Sequence, residues 1–384
     1  MIQSLPTEMD SVISLLRDLV AIDSVNPSLV PGAVGEREIA SAIAEHMRRI
    51  GLDVQMQEAA PGRPNVIGVI EGRAQGRSLM FCGHIDTVGV AGMDGPFDPR
   101  IGSDRLYGRG SQDMKAGVAA MIDAAREIAA RGMNRGRLIV AAVVDEEYAS
   151  VGADALVTQW TADAAVVTEP TDLQIAVGHK GFAWVDVETL GRAAHGSRPR
   201  EGRDAIMRMG RVLQRLEALD RELQARPPHP IMGTGSLHAA IVSGGRELSS
   251  YPDRCSLQIE RRTIAGEEGE SARDEVAGIL DRLRSEDPEF EGTARLTFSR
   301  PPYELSPDHP LPRTLAAAAV QAGCTTTTTG MSFWTDAAIL AGAGIPSVLF
   351  GPGGAGLHSI EEYVRISEVI ACRDALSRLV VDWC

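Results

Sequence analysis

Apolar residues recur along this chain in two patterns, which predict helices and buried strands. A helical period is found at residues 8–22, 36–50, 114–131, 311–322 and 361–380. Short, continuous apolar runs are found at Asn65–Ile70, Ser78–Cys82, Leu138–Val144, Ala164–Thr168 and Pro346–Phe350. Because such runs leave no polar side for water, they are typical of strands that are covered on both faces. The pattern predicts an α/β domain whose central sheet is covered by helices on both faces.

The middle of the chain has a different order of elements, which indicates an inserted domain. Its predicted helices are Asp204–Arg226 and Glu270–Ser285, and its predicted strands are Phe182–Leu190, Ser236–Ser243, Cys255–Thr263 and Thr293–Ser299. The resulting order, β-α-β-β-α-β, is that of a ferredoxin-like α+β domain. We therefore predict a discontinuous first domain, residues 1–177 and 300–384, with residues 178–299 inserted into it.

The charge and the cysteines narrow the range of partners and compartments. The 384 residues include 38 Lys and Arg against 52 Asp and Glu, a net charge of −14. This acidic balance disfavours nucleic acid and anionic membranes as partners. The first 20 residues mix acidic and apolar side chains, which predicts an amphipathic helix rather than a signal peptide. Five scattered cysteines without a CxxC pair are interpreted as reduced thiols of a cytoplasmic protein.

Acidic residues and histidines follow several predicted strands of the first domain. His84 and Asp86 are two residues apart at the end of one strand, so both side chains point to the same side. The run Asp145-Glu146-Glu147 follows a second strand, and Glu169 and His358 follow two others. Because α/β sheets build their sites at the carboxyl ends of strands, these side chains are candidates for one site.

A glycine-rich turn precedes the predicted helix at residues 114–131. The segment Gly108–Lys115 resembles the start of a dinucleotide-binding fingerprint, but Asp113 occupies the place of the third glycine. No clear strand precedes the segment, and a carboxylate at that place would repel a pyrophosphate. The turn is better interpreted as one that directs Asp113 towards a cation.

The two histidines, together with Asp113, Glu147 and Glu169, form a set of nitrogen and oxygen ligands that suits Zn²⁺, Co²⁺ or Mn²⁺. With all of these motifs in this order, the sequence resembles the dinuclear zinc amidohydrolases and exopeptidases. That family includes acetylornithine deacetylase, succinyl-diaminopimelate desuccinylase, glutamate carboxypeptidase and aminoacylase. The resemblance covers nearly the whole chain. It implies a mixed central sheet in a zinc exopeptidase-like catalytic domain, with an inserted lid and dimerisation domain.

The resemblance implies a role for each ligating position. Asp113 would bridge two divalent metal ions, for which zinc is the first expectation and cobalt or manganese the next. His84 and Glu169 would complete the site of one ion, and Glu147 and His358 that of the other. Relatives with a glutamate at the position of Glu169 are deacylases and carboxypeptidases, which favours a substrate with a free carboxylate.

Two further residues of the same motifs would serve the reaction. Glu146 would be the general base that takes a proton from the attacking water, and Asp86 would orient His84. The resemblance also implies a cis peptide bond between Asp113 and Met114.

The inserted domain carries two further matches. The segment around His195 resembles the family's histidine segment, whose side chain reaches the active site of the partner subunit, and this implies a homodimer formed through the inserted domain. The second match is a strand segment of the family with an acidic residue followed two positions later by an arginine, which Glu260-Arg261-Arg262-Thr263 resembles. The match makes Arg262 a candidate for binding a substrate carboxylate. The alternative for Arg262 is a salt bridge on the face of the strand. One departure is Ser249, which occupies a position where relatives usually have an asparagine that touches substrate.

Together these residues predict hydrolysis of an amide bond in a small N-acyl amino acid by a metal-bridged hydroxide. The segment Phe333–Ala337 resembles the acetylornithine deacetylase branch. The nearest alternative is a dipeptidase or carboxypeptidase that uses the same site on a small peptide. A silent small-molecule binding protein is a third possibility, disfavoured because no ligand has been lost. A Ser-His-Asp hydrolase is disfavoured because the sequence has no Gly-x-Ser-x-Gly motif.

Overall fold

A computed structural model describes residues 9–384 of the chain, so residue 8, where the first predicted helix begins, lies outside the described residues. The helices are α1 (Ser11–Val20), α2 (Arg37–Arg49), α3 (Lys115–Arg131), α4 (Val151–Leu156), α5 (Ala205–Ala225), α6 (Gly269–Glu286), α7 (Pro310–Gln321), α8 (Ala337–Gly342) and α9 (Ile366–Trp383). The strands are β1 (Asp53–Ala60), β2 (Arg63–Glu71), β3 (Ala74–His84), β4 (Arg100–Gly102), β5 (Arg105–Tyr107), β6 (Arg135–Val143), β7 (Ala165–Val167), β8 (Ile175–His179), β9 (Gly181–Leu190), β10 (Ser236–Gly244), β11 (Arg254–Thr263), β12 (Glu291–Arg300), β13 (Tyr303–Glu304), β14 (Thr328–Met331), β15 (Ser347–Leu349), β16 (Gly354–Ala355) and β17 (Tyr363–Arg365).

Two properties of the described residues bear on the expectations about membranes and thiols. Within residues 9–384, no helix combines the length and the apolar character that crossing a membrane requires. All five cysteines are free and buried, in agreement with the prediction of reduced thiols.

The contacts within the chain divide it into two compact units. The first unit contains the described residues up to Val177 together with Leu305–Thr329 and Thr335–Cys384, and the second contains Gly178–Glu304 and Gly330–Trp334. The boundary predicted between residues 299 and 300 falls inside β12. The second unit continues to Glu304 because β13 pairs with the last residues of β8.

The first unit is built on a mixed sheet with the strand order β1-β2-β6-β3-β7-β15-β8. The pairs β1–β2 and β2–β6 are antiparallel, whereas β3–β6, β3–β7 and β7–β15 are parallel. The last six residues of β3 and of β6 are all buried, which is why their sequences read as unbroken apolar runs. The predicted α/β fold with a mixed central sheet is confirmed.

Helix α3 packs directly against the end of β7. A Cβ atom added to Gly117 would lie 2.0 Å from the carbonyl oxygen of Thr168, so a side chain at this position would collide with the backbone. The glycine therefore permits a close helix-to-strand approach. Since Asp113 immediately precedes α3 and Glu169 follows Thr168, this contact brings two candidate site residues towards each other.

One predicted helix begins later than its sequence pattern indicated. The prediction placed a helix at residues 361–380, whereas α9 starts at Ile366 and the residues before it form β17. β17 pairs with β5, with Tyr363 opposite Tyr107, in a small sheet ordered β16-β17-β5-β4. The prediction for residues 361–365 was therefore wrong, because strand pairing between distant segments outweighs the local helical pattern.

The second unit has the predicted element order β9-α5-β10-β11-α6-β12. Its four strands form an antiparallel sheet ordered β10-β11-β9-β12. Alternate residues of β9 and β11 are buried, among them Val185, Val187 and Leu257, and they share a core with residues of α5 and α6 such as Met209 and Val276. The predicted ferredoxin-like arrangement is confirmed.

Candidate active site

The carboxyl ends of four strands lie at one edge of the first unit's sheet. β3 pairs in parallel with β6 and β7, and β7 pairs in parallel with β15, so all four strands point the same way. His84 is the last residue of β3, Glu146 and Glu147 follow β6, and Glu169 follows β7. His358, whose backbone φ is 57°, lies beyond the end of β15, in the segment between β16 and β17. Parallel pairing thereby brings together side chains that are far apart in the sequence.

Asp113 lies between two histidines. Its Oδ1 is 3.0 Å from Nε2 of His84, and its Oδ2 is 3.4 Å from Nε2 of His358. Oε2 of Glu147 is 3.1 Å from Nε2 of His358, and Oε1 of Glu169 is 4.0 Å from Nε2 of His84. The peptide bond after Asp113 is cis, as predicted. A single carboxylate therefore faces two imidazole rings, and each ring has a further carboxylate beside it.

Two groups of potential ligand atoms share His84. One contains His84, Asp113 and Glu147, and the other contains His84, Glu146 and Glu169. Within each group the ligand atoms all lie within 4.8 Å of one another. Glu146 and Glu147 are adjacent in sequence but belong to different groups, which allows them different chemical tasks.

The acids of the cluster have strongly perturbed ionisation. Burial raises the pKa of Glu169, and burial together with the charge of Glu169 raises the pKa of Glu146. Burial and the neighbouring charge of Asp113 raise the pKa of Glu147 to about 7. Burial would also raise the pKa of Asp113, but hydrogen bonds from His358 and His84 outweigh it and lower that pKa. Hydrogen bonds to Asp113 and Glu147 raise the pKa of His358 to about 10.

These side chains fit a pair of divalent metal ions. Oε1 of Glu147 is buried and has no hydrogen-bond partner among residues 9–384. A buried carboxylate oxygen left unpaired is costly, and a bound cation would remove that cost. A cation would also favour the charged forms of the three glutamates, whose pKa values are raised without it. Imidazole nitrogens and carboxylate oxygens are the donors that zinc and similar ions accept.

Asp86 supports His84 on the side away from Asp113. Nδ1 of His84 donates to the backbone carbonyl of Asp86 at 3.0 Å and lies 3.5 Å from its Oδ1. The proton assigned to Nδ1 by this hydrogen bond leaves Nε2 able to bind an ion. The Asp86 carboxylate also accepts from the backbone N–H groups of Glu146 at 3.1 Å and Glu147 at 3.2 Å. One carboxylate therefore orients the histidine and the backbone of both glutamates.

Asn26 is a site residue that sequence reasoning missed. Its Nδ2 donates to Oδ2 of Asp86 at 2.7 Å and to Oδ1 of Asp145 at 3.1 Å. Arg63 is the next member of this buried network, with its NH1 2.8 Å from Oδ1 of Asp145. In the sequence Asn26 precedes Pro27, and an Asn-Pro pair is an ordinary turn signal, so no local pattern distinguished it.

His195 and Arg262 belong to the second unit. His195 is exposed, and its Nδ1 is 2.8 Å from Oγ of Ser197. Nε of Arg262 is 2.7 Å from Oε1 of Glu260, so the salt bridge on the strand face is present. The guanidinium of Arg262 also lies 5.5 Å from the centre of the Phe182 ring.

Lys180 is a second basic residue near Arg262 that the sequence analysis did not identify. Its Nζ donates to the carbonyl of Thr234 at 2.7 Å. Burial and then the nearby positive charge of Arg262 lower the pKa of Lys180. The two residues form a local concentration of positive charge on the second unit.

Known proteins match this chain over nearly its whole length. Residues 80–382 match the sequence model of peptidase family M20/M25/M40. Acetylornithine deacetylase of Myxococcus xanthus is 30% identical over 385 residues, which cover 96% of this chain and 96% of that protein. N-formyl-4-amino-5-aminomethyl-2-methylpyrimidine deformylase of Bacillus subtilis (strain 168) is 27% identical over 410 residues, which cover 98% of this chain and 95% of that protein.

Solved structures share the fold at lower sequence identity. A tripeptidase from Staphylococcus aureus superposes with a TM-score of 0.80 at 22% identity, covering 97% of this chain and 98% of that one. The YxeP protein of Bacillus subtilis, described as a dinuclear metal binding peptidase of family M20, gives a TM-score of 0.75 at 16% identity. That match covers 96% of each chain.

Proposed function

Because this chain belongs to peptidase family M20/M25/M40, we propose that it hydrolyses the amide bond of an N-acyl amino acid, as an acetylornithine deacetylase-like deacylase. Family membership confirms the resemblance identified in the sequence and makes the chain a metal-dependent hydrolase. The relatives named as a deacetylase and a deformylase support the release of an acyl group from nitrogen. The observation that carries the proposal is Asp113 between His84 and His358.

The proposed centre holds two divalent ions. Zinc is the first expectation for both ions, and cobalt or manganese is the next. His84, Asp113 and Glu169 would hold one ion, and Asp113, Glu147 and His358 the other. When bound, such ions polarise a carbonyl oxygen and lower the pKa of water. The unpartnered buried oxygen of Glu147 and the nitrogen and oxygen donors support this assignment.

In the proposed mechanism Glu146 moves the proton. Its carboxylate takes a proton from the attacking water and returns it to the nitrogen of the leaving amine. The return step is required because an amine cannot leave as an anion near neutral pH. Burial and the nearby charge of Glu169 raise the pKa of Glu146, and a carboxyl group with a raised pKa both accepts and returns a proton efficiently.

Positive charge on the second unit supports a substrate with a free carboxylate. Arg262 would bind the carboxylate through its planar guanidinium, and Lys180 would add a second positive charge. The existing pair between Arg262 and Glu260 would have to rearrange for a bidentate contact. His195, supplied by the partner subunit, would donate to the carbonyl oxygen on which negative charge develops.

The proposed assembly is a homodimer formed through the second unit. β10 is an edge strand of its sheet, and edge strands expose unpaired backbone groups that can pair with a second copy. Ile241 and Val242 on this strand are 60% and 59% exposed, and Met207 at the start of α5 is 71% exposed. An apolar edge of this kind supports pairing between two copies across a two-fold axis.

An amine-release screen tests the proposed reaction. Acetyl, formyl, succinyl and carbamoyl amino acids and dipeptides are each offered to the protein with Zn²⁺ and with Co²⁺. Release from acylated amino acids with dipeptides left intact would support the deacylase, and the reverse would favour a dipeptidase or carboxypeptidase.

The adjacent glutamates provide a matched pair of variants for the mechanism. Glu146→Gln should keep both ions while kcat falls by ~10²–10⁴, the loss expected for a general base. Glu147→Gln should lose an ion, which metal analysis would detect. The opposite result, metal lost from Glu146→Gln and retained in Glu147→Gln, would show that the two roles are exchanged.

A further inference from the structure

Glu362 accepts four hydrogen bonds from the turn that ends at Asp113. Its Oε1 accepts from the backbone N–H groups of Gln112 at 2.8 Å and Asp113 at 3.1 Å. Its Oε2 accepts from the N–H of Gly110 at 3.1 Å and from the guanidinium of Arg109 at 2.6 Å. The residue is only 1% exposed. Both carboxylate oxygens are therefore occupied twice by donors from one short turn.

The backbone around Glu362 makes further contacts with the same turn. The carbonyl of Glu362 accepts from the N–H of Gly108 at 3.2 Å. The second terminal nitrogen of Arg109 donates to the carbonyl of Ser359 at 2.8 Å. Ser359 directly follows His358, so these hydrogen bonds connect the loop that carries His358 to the turn that carries Asp113.

We propose that Glu362 is a positioning residue of the metal centre, which fixes Asp113 relative to His358 by binding the backbone of the Asp113 turn. The inference rests on the proposed function, because it matters only if these two residues hold an ion. Several N–H groups of one turn that converge on an anion form a rigid cradle, and a carboxylate can satisfy them because it only accepts. Glu362 therefore acts through the backbone of Asp113.

The substitution Glu362→Gln keeps the shape of the side chain but replaces one of its two accepting oxygens with a donating NH₂ group. The amide group has one accepting oxygen, so its NH₂ group must face two of the four donors. The turn loses either the contacts to Gln112 and Asp113 or those to Gly110 and Arg109. In both cases buried donors lose their acceptor, and the turn shifts to recover hydrogen bonds.

The test is a comparison of metal affinity in the full-length protein. Zn²⁺ dissociation constants are measured by competition with a chelator for the parent, Glu362→Gln and the adjacent, exposed control Glu361→Gln. We expect Glu362→Gln to bind at least one ion about 10–100-fold more weakly, the usual cost of losing a group that orients a ligand. The visible spectrum of the Co²⁺ form should change in Glu362→Gln and match the parent in Glu361→Gln.

Thermal unfolding of the metal-free proteins separates positioning from a purely structural role. Lower thermal stability with parental Zn²⁺ affinity and a parental Co²⁺ spectrum would overturn the inference. If Glu362→Gln does not fold, Arg109→Lys carries the test, because lysine keeps the charge but cannot reach both Glu362 and Ser359. Arg109→Lys should weaken Zn²⁺ binding less than the ~10–100-fold expected for Glu362→Gln, and an unchanged Zn²⁺ affinity would overturn the inference. A parent protein that binds no divalent ion would overturn the proposed function itself.

Discussion

His179 is a buried histidine that should make stability depend on pH. Its ring is fully buried, its Nδ1 donates to the carbonyl of Lys180 at 2.9 Å, and its Nε2 has no hydrogen-bond partner in the described part of the chain. The rings of Tyr303 and Trp334 lie 5.9 and 6.0 Å away, centre to centre. Burial lowers the pKa of His179 from 6.5 to about 4.

The sign and size of the effect follow from the two pKa values. Below pH 4 the folded and unfolded states both carry the proton, and above pH 6.5 neither does. Between these values the unfolded chain binds more protons, so acidification favours unfolding. The pKa difference, from 6.5 to about 4, corresponds to about 3 kcal/mol at 1.36 kcal/mol per unit. His179 alone should therefore lower the free energy of unfolding by about 3 kcal/mol as the pH falls through this range.

The variant His179→Asn isolates this effect, because its amide can still donate to the Lys180 carbonyl but does not titrate. Urea unfolding of the metal-free proteins is followed by tryptophan fluorescence and circular dichroism at intervals from pH 4 to 7.5. Any constant cost of the smaller side chain cancels when the slopes with pH are compared. The exposed His238→Asn is the control and should parallel the parent. Parallel curves for parent and His179→Asn would refute the reasoning.

Three further results are expected. Exhaustive chelation should abolish activity while the circular dichroism spectrum persists, since a site at the rim of a large α/β core is not needed for folding. Loss of the helical signal after chelation would show that the ions are structural. Gly117→Ala should lower the midpoint of unfolding and weaken metal binding, because the added Cβ would collide with the Thr168 carbonyl beside Glu169. A parental unfolding midpoint together with parental metal affinity would contradict this prediction. A one-to-one mixture of His195→Ala and Glu146→Gln subunits should recover about a quarter of parental activity. Half of the randomly exchanged dimers are mixed, and each mixed dimer has one site that combines an intact Glu146 with an intact His195 from its partner. Subunit exchange proven by mass spectrometry without recovery of activity would exclude action of His195 across the dimer.

The sequence predicted best the elements whose burial leaves a local pattern. The last six residues of β6 are an unbroken apolar run because both faces are covered, and β3 and β7 of the same sheet were recognised for the same reason. β1 was missed because it is an edge strand whose side chains are mostly exposed, and Gln57 is its only buried residue. The pairing of Tyr363 with Tyr107 was missed because it joins segments more than 250 residues apart.

The residues of the candidate site differ in the same way, because some leave a recognisable local sequence pattern and others do not. His84, Asp113 and Glu169 could be identified because each stands at the end of a strand or in a turn, in an order that a known family shares. Asn26 and Glu362 could not, because an asparagine in a loop and one of two adjacent glutamates are common on protein surfaces. Their contacts depend on the complete fold, which brings the Asp113 turn to the segment before β17 and the Asn26 loop to the end of β3.

The spacing of the proposed ligands along the chain affects when the centre can be completed during synthesis. His358 follows His84 by 358 − 84 = 274 residues. At about 5–20 residues per second, a ribosome needs about 14–55 s to pass from the first histidine to the second. Once Glu147 has been added, the nascent chain contains both Asp113 and Glu147, but it still lacks the His358 imidazole that would complete this ligand group. The proposed second site could therefore bind its ion only after His358 has been added, and a product that stops before His358 would lack that site.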